Sequence, residues 1–436
     1  MNTGQNLYKR AKEIIPGGNQ LLSKRPEMFL PEKWPSYYKK AKGVEVWDMD
    51  DNKYIDMSIM AIGASPLGYA NPAVSEAVKN AIDNGCVSSL NSFEEVALAE
   101  KLIDLHPHME MVRFARTGGE ADAVAVRIAR AASGKSKVAI CGYHGWHDWY
   151  LATNLSSSSN LNDLLLPGLT PSGVPKQLIE TNLPFHYGKI EELNEIVDKH
   201  GQDLGVIVVE VQRSKEVDIP FLTAVQKIAK KNNSVLIFDE VSSSFRLSIG
   251  ALYKLYDLEP DIVVIGKALG NGHPIAAILG KRCVMEAAQG SFISSSYWTE
   301  RVGFSAALET INQFEQHNVI NYLKDIGKYI DEKTSRIFQQ VGLNIENIGM
   351  TTVPVWAIKE NEPLLIKTVF TQEMLKRGFL ASNLIYISYA HSKKVVDMYL
   401  EEAFQVYSKI ALGNKNNELS RMLEGPICHS GFSRLT

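Results

Sequence analysis

The sequence predicts an α/β fold with a mainly parallel sheet and a smaller α+β domain, and three observations point there. Between about residues 110 and 310, short β-rich runs alternate with helical stretches, the pattern of a parallel sheet covered by helices. The runs at 137–140, 206–209, 235–238 and 262–265 are almost unbroken in apolar and β-branched residues, as expected of strands buried on both faces. Each is followed by polar or glycine-rich residues: 141–148, 210–213, Asp239-Glu240 and Gly266-Lys267. In open α/β sheets ligands bind beyond the carboxyl ends of the strands, so these four segments are the candidate site.

The elements on either side follow from local signals. An amphipathic stretch from Tyr8 to Ile15 ends at the turn Pro16-Gly17-Gly18 and leads into a proline-rich arm. Alternation from Val44 to Met57 around Asp50-Asp51-Asn52 reads as a hairpin. Asn71-Pro72 opens a helix closed by Gly85. Ser92 and Glu95 have the spacing of a capping box for a helix ending near Pro107. Amphipathic helices are expected at 321–341 and 394–410, with a strand-like stretch at 384–389. The polar, Gly/Ser/Pro-rich segment 156–175 has the length of a lid. The domain reading is an N-terminal arm and hairpin (1–70) that belong with the small domain, a large domain (71–311) and a C-terminal small domain (312–436).

Composition narrows the function. The 436 residues carry 46 Lys+Arg against 49 Asp+Glu, a net charge of −3, with 45% hydrophobic residues. That balance leaves no electrostatic footprint for nucleic acid or an anionic membrane. No apolar run approaches the ~18 residues of a membrane span, and residues 1–5 lack the order of a secretory signal, so the expected location is cytoplasmic. The four cysteines are far apart without a CxxC pair, which suits neither a zinc site nor a disulfide framework.

The residues that could carry chemistry stand at the strand ends. Thr117-Gly118-Gly119-Glu120 opens an alanine- and valine-rich helix, where small residues let backbone N–H groups approach a phosphate; an ordinary N-cap would look the same. Nucleotide fingerprints fail. Ala129 stands where a P-loop ending at Gly134-Lys135-Ser136 needs its first glycine, and 266–272 does not fit GxGxxG. Lys267 follows four aliphatic residues and is either a Schiff-base lysine or a lysine whose stem lies along the surface. Asp239, 28 residues earlier, is a strand-end carboxylate that needs a cationic partner, and a protonated pyridine nitrogen is one. Tyr143 could lay its ring on a cofactor face. His144, His147 and Asp148 lack an evident third strong ligand, so no metal is expected.

The order Thr117-Gly118-Gly119-Glu120-Ala121, Tyr143-His144-Gly145, Phe238-Asp239-Glu240-Val241 with Phe245-Arg246, and Gly266-Lys267 resembles the class III pyridoxal-phosphate aminotransferases, most of all their glutamate-1-semialdehyde aminomutase branch. The similarity runs from about Leu7 to Ile410. It implies a fold-type I transferase with a seven-stranded-type sheet in the large, cofactor-binding domain, working as a homodimer with pyridoxal 5'-phosphate at the subunit interface. By the resemblance Lys267 is the Schiff-base lysine and proton shuttle, Asp239 holds the pyridine nitrogen, Val241 packs behind the ring and Tyr143 in front. Gly118 and Gly119 hold the phosphate, Ser295 and Ser296 reach it from the other subunit, and Glu210 matches a family glutamate.

Departures from the branch bear on the substrate. Residues 19–25 replace the arginine and serine that hold a substrate carboxylate in the aminomutases, and an acidic residue near Ala390-His391 is missing. Residues 21–30 and Trp298-Thr299-Glu300-Arg301 are instead similar to relatives that aminate sugars or sugar acids for surface polysaccharides such as lipopolysaccharide, among them transaminases placing nitrogen on carbon 8 of an octulosonic acid. The expected reaction moves an amino group from an amino acid, glutamate first, to an aldehyde or ketone of a sugar-like acid, with Lys24, Arg25 and Arg213 as candidates for its acidic group. The alternatives are an aminomutase and, more distantly, a cofactor-binding scaffold without turnover. No partner beyond the small-molecule donor and acceptor and a second subunit is implied.

Overall fold

The computed structural model describes residues 2–162, 164, 167–212 and 216–432. The chain packs as two compact units, one of residues 72–320 and one of residues 1–71 and 321–436.

The larger unit is built on seven strands: β1 (Met111–Ala115), β2 (Lys137–Cys141), β3 (Asn182–Pro184), β4 (Leu204–Glu210), β5 (Val235–Asp239), β6 (Ile262–Ile265) and β7 (Ala276–Gly280). Their order across the sheet is β1-β7-β6-β5-β4-β2-β3. β7 runs antiparallel to both neighbours, and the remaining pairs are parallel. Every residue of β4, β5, β6 and β7 is buried, which explains their lack of alternation. Register then fixes the site, because Glu210 pairs with Asp239 and Asp239 with Val264. Glu210, Asp239 and the turn before Lys267 therefore come to one edge of the sheet.

Four helices of this unit bear on the site or its surroundings: α1 (Pro72–Asp83), α2 (Phe93–Leu105), α3 (Gly118–Ser133) and α4 (Arg301–Gln316). α3 starts at a capping box in which Thr117 Oγ1 accepts from Glu120 N while Glu120 Oε2 accepts from Thr117 N at 2.9 Å. It stops at Gly134 in the left-handed region (φ 66°). Its apolar face packs on five strands of the sheet, and α4 packs on α1 and α2. The capping box expected at Ser92 does not form. α2 does begin after Ser92, but the Ser92 hydroxyl is buried without a partner and Glu95 N donates to the Ser92 carbonyl instead.

The smaller unit holds the N-terminal helix Thr3–Ile14, a sheet of Tyr38–Lys42, Glu45–Asp48, Lys53–Met57 and Phe379–Ala381, and the long helix Lys393–Lys415. The hairpin turn is tied by Asp48, which accepts from Asp50 N and Asn52 N at 2.9 Å each. The stretch 384–389 is not a strand. Its amides go singly to two flanking segments, Ile385 and Ile387 to Pro354 and Thr352, Tyr386 and Tyr389 to Ser58 and Pro66, so no continuous ladder develops. The lid expectation at 156–175 falls partly on Asp163, Leu165 and Leu166, which lie outside the described residues. Among the described residues no helix is long and apolar enough to cross a membrane.

Candidate active site

The site is assembled where β2, β4, β5 and β6 end. Asp239, the last residue of β5, is 4% exposed. Its Oδ1 accepts the Val241 N–H at 3.0 Å, and its Oδ2 lies 2.8 Å from His144 Nδ1. His144 is fully buried, 6.3 Å from the Trp149 ring and edge-on to Tyr150. A carboxylate can only accept there, so the imidazole proton sits on Nδ1. Asp122 reaches the same place from the buried face of α3; ligating atoms of Asp122, His144 and Asp239 all lie within 4.8 Å of one another. They do not make a metal cage. Ligands at ~2.0–2.1 Å around a tetrahedral ion stand about 3.3 Å apart, whereas His144 and Asp239 are joined by a direct hydrogen bond.

Lys267 follows β6 after Gly266 and adopts a left-handed conformation (φ 39°). For a residue with a side chain that conformation costs roughly 1–2 kcal/mol. It is imposed from both sides, by buried β6 before it and by buried Ala268, Leu269 and Gly270 after it. Its Nζ donates to Ser242 Oγ at 2.6 Å. The amine is thus held over the loop that leaves Asp239.

Gly118 and Gly119 are the first two residues of α3, where N–H groups have no carbonyl within the helix to bind. Glycine is required here by Val241, because a Cβ on Gly118 would lie 2.7 Å from Val241 Cγ1. Gly119 faces His147 and Gly145, whose own Cβ would lie 2.9 Å from Gly119 Cα. The helix start can therefore be approached closely by an anion. Gly118→Ala is expected to weaken binding of a phosphorylated ligand by about tenfold or more, since such overpacking costs about 1–3 kcal/mol. Recovery in Gly118→Ala/Val241→Ala, measured by equilibrium titration, checks the cause.

Glu210 accepts the Tyr143 N–H at 2.8 Å and so fixes the chain that carries the Tyr143 ring, itself edge-on to Tyr150 at 5.8 Å. Gly142 (φ 119°) permits this approach, for its Cβ would lie 2.5 Å from Glu210 Oε2. Glu240 turns away from Asp239 to accept from Tyr253 N at 2.9 Å and Ser243 Oγ at 3.0 Å. Burial pushes its carboxyl up to about 7.

Of the residues singled out in the sequence, Tyr143, Glu210, Asp239, Val241, Lys267, Gly118 and Gly119 all belong to this cluster of strand ends and the α3 start. Ser295 and Ser296 are exposed, on a segment tied back by Arg116 Nε to Tyr297 O at 2.6 Å. Lys24 and Arg25 belong to the smaller unit, Lys24 exposed and Arg25 5.6 Å from the Phe432 ring. Arg213 lies outside the described residues. The sequence reading missed Asp122, the His144 contact to Asp239 and Ser242. None of the three left a signal in the sequence, because the buried positions 121, 125, 128 and 129 that place Asp122 at the sheet are evident only once α3 is seen to pack on it.

An amine beside a buried anion, with two glycines at a helix start close by, suits a phosphorylated aldehyde whose ring nitrogen carries a proton. The structure matches that of the FumI protein of Sphingopyxis sp. MTA144 with a TM-score of 0.85 at 23% identity, covering 94% of this chain and 97% of the other. The fold is that of the fold-type I pyridoxal-phosphate transferases. Residues 31–383 match the family model described as aminotransferase class-III, and the chain belongs to that family. It is 32% identical to a 3-aminobutyryl-CoA aminotransferase of Cloacimonas acidaminovorans over 84% of this chain and 86% of the relative. A glutamate-1-semialdehyde 2,1-aminomutase of Methanothrix thermoacetophila is 31% identical over 94% and 97%, and a 2'-deamino-2'-hydroxyneamine transaminase of Streptomyces kanamyceticus 30% over 72% and 75%. The protein is a pyridoxal-phosphate-dependent transaminase.

Proposed function

We propose that the protein moves an amino group from an amino acid, glutamate first, to an aldehyde or ketone of a sugar or sugar acid, in the cytoplasm and for surface-polysaccharide synthesis. The observation that carries the amino-transfer chemistry is Lys267 Nζ on Ser242 Oγ beside the buried Asp239–His144 pair. The sugar-like acceptor is supported by residues 19–25, whose order after the Pro-Gly-Gly turn differs from that of the aminomutases, and by the neamine-related relative.

When bound, the cofactor supplies an electron sink for the bond broken at the substrate carbon. The chain's own residues do the rest. Lys267 would anchor the cofactor, and once released its Nζ would take the proton from the substrate carbon and pass it to the cofactor carbon, with the reverse transfer following when the acceptor binds. Ser242 Oγ holds that amine between steps. Asp239 keeps a proton on the ring nitrogen, and His144 keeps Asp239 in place. Gly118 and Gly119 would hold the phosphate with backbone N–H groups, Val241 and Tyr143 would lie behind and in front of the ring, and Glu210 holds the Tyr143 backbone. We assign Lys24, Arg25 and Arg213 to the acidic group of the substrate.

The test is 2-oxoglutarate release from glutamate across a panel of oxidised sugar acids, with release beyond one equivalent per active site only when an acceptor is present. Release with none of them would contradict the proposed acceptor class. A second reading, an aminomutase, is favoured by the Methanothrix relative. Isomerisation of glutamate 1-semialdehyde without added donor would establish it instead.

We propose further that two copies pair, with Ser295 and Ser296 reaching the partner's phosphate. Support comes from Leu90, Phe93, Phe292 and Tyr297, which are 72–89% exposed although large and apolar; such exposure marks interaction surfaces. Sedimentation should give a dimer, and Phe292→Glu should shift it toward monomer with loss of activity. A fully active monomer would remove the shared site.

A further inference from the structure

The buried trio at the carboxyl end of β5 contains one acid more than the chemistry uses. Asp239 is well supplied with donors: Val241 N–H at 3.0 Å on Oδ1 and His144 Nδ1 at 2.8 Å on Oδ2. Asp122 is not. It is 3% exposed, its stripe of α3 is otherwise Ala121, Ala125, Ile128 and Ala129, and its Oδ1 is buried without a hydrogen-bond partner. One of its carboxyl oxygens lies within 4.8 Å of one on Asp239. Two carboxylates in one dry site cannot both be ionised at little cost. One proton must be shared, and the donors around Asp239 favour its ionised form.

We propose that Asp122 is a protonated, neutral acid at neutral pH that donates its hydrogen to Asp239, a positioning residue that leaves a single negative charge to face the cofactor's ring nitrogen. The groups facing Asp122 agree with this. Asp239 from β5 and Glu210 from the end of β4 are negative, His144 Nδ1 is already given to Asp239, and Lys267 is engaged by Ser242. Desolvation first, and then the charges of Asp239 and Glu210, hold the Asp122 carboxyl well above the usual carboxylate range, against a smaller opposing effect of Lys267. Asp122 is the fifth residue of α3, past the first turn where the helix dipole would favour its anion. With Asp122 neutral, one anion balances one protonated ring, and Asp122 becomes a third donor to Asp239. This role rests on the proposed amino-transfer function, but the protonation state does not, so the test uses the cofactor-free protein.

Asparagine keeps the volume of Asp122 and a donor while removing the proton that titrates. The infrared difference between the parent and Asp122→Asn at pH 7 should show one carboxylic-acid carbonyl band present only in the parent. The stability difference should depend on pH with a stated sign. An acid whose folded pKa is raised binds its proton in the folded state after the unfolded chain has lost it. The parent's unfolding constant should therefore rise relative to that of Asp122→Asn by about tenfold per pH unit from about pH 4 upward, until the raised pKa is passed. Should the variant fail to fold, the parent with 13C at its aspartate side-chain carboxyls reads the same band, separate from the band of Glu240. In the holoenzyme, Asp122→Leu, which removes the donor, should shift the pH at which the bound cofactor's absorbance titrates, and Asp122→Asn should restore it. A missing aspartic-acid band at pH 7, or parallel stability profiles for parent and Asp122→Asn, would overturn the proposal.

Discussion

Lys267→Ala is expected to lower turnover by more than about 10⁴-fold while the protein still folds. One residue is assigned two tasks, anchoring the cofactor and carrying the proton, and proton transfer by a placed group alone contributes about 10²–10⁴-fold. Folding should survive because Lys267 is only partly buried and its one described side-chain bond is to Ser242. The left-handed backbone at this position is costly for alanine as for lysine, so the change in strain is small. Steady-state rates together with far-ultraviolet circular dichroism check both halves. An active Lys267→Ala protein would place the proton carrier elsewhere, and an unfolded one would show that the loop depends on this contact.

Asp239→Asn is the second large effect expected, a loss of about 10²–10⁴-fold in turnover with a smaller loss of cofactor affinity. The amide fills the same volume and its oxygen can still accept from His144 Nδ1 or Val241 N, so β5 and its neighbours should keep their places. What disappears is the only anion that the geometry sets against a protonated ring nitrogen, and with it the reason for the ring to remain protonated. Transient kinetics of the first half-reaction with glutamate isolates this effect from acceptor binding. A variant with the parent's rate would mean that ring protonation contributes nothing here.

Much of this site is legible in the sequence because its principal members break a strong pattern. Asp239 and Lys267 are charged residues that end or follow fully apolar strands, and a charge at such a position needs a partner or a use. Gly118 and Gly119 stand out for a related reason, two residues without side chains at a helix start. The arrangement of the sheet is less legible. β7 enters antiparallel between β1 and β6, and nothing in Ala276–Gly280 marks it as antiparallel.

The missed residues were missed for physical reasons. His144 and Asp239 are 95 residues apart, and their pairing depends on β4 lying between β2 and β5. Asp122 lies among alanines and valines and reads as a polar position on a helix until the sheet beneath it is known. Ser242 is one of three consecutive serines, and only the loop's path selects the one that meets Lys267. At 384–389 a strand-like run was present without a strand, because its amides were taken by two different segments. Periodicity reports which side chains are covered, not which carbonyl receives each amide.

The central claim is that Lys267 carries the cofactor and gives it up to an amino donor. The most direct measurement is the visible spectrum of the protein with pyridoxal phosphate before and after glutamate, followed by borohydride reduction and peptide mass mapping. The account predicts a visible band that glutamate removes, and reduction before glutamate that leaves the cofactor's mass on the peptide containing Lys267. A label on another lysine, or no visible band with the cofactor present, would contradict it.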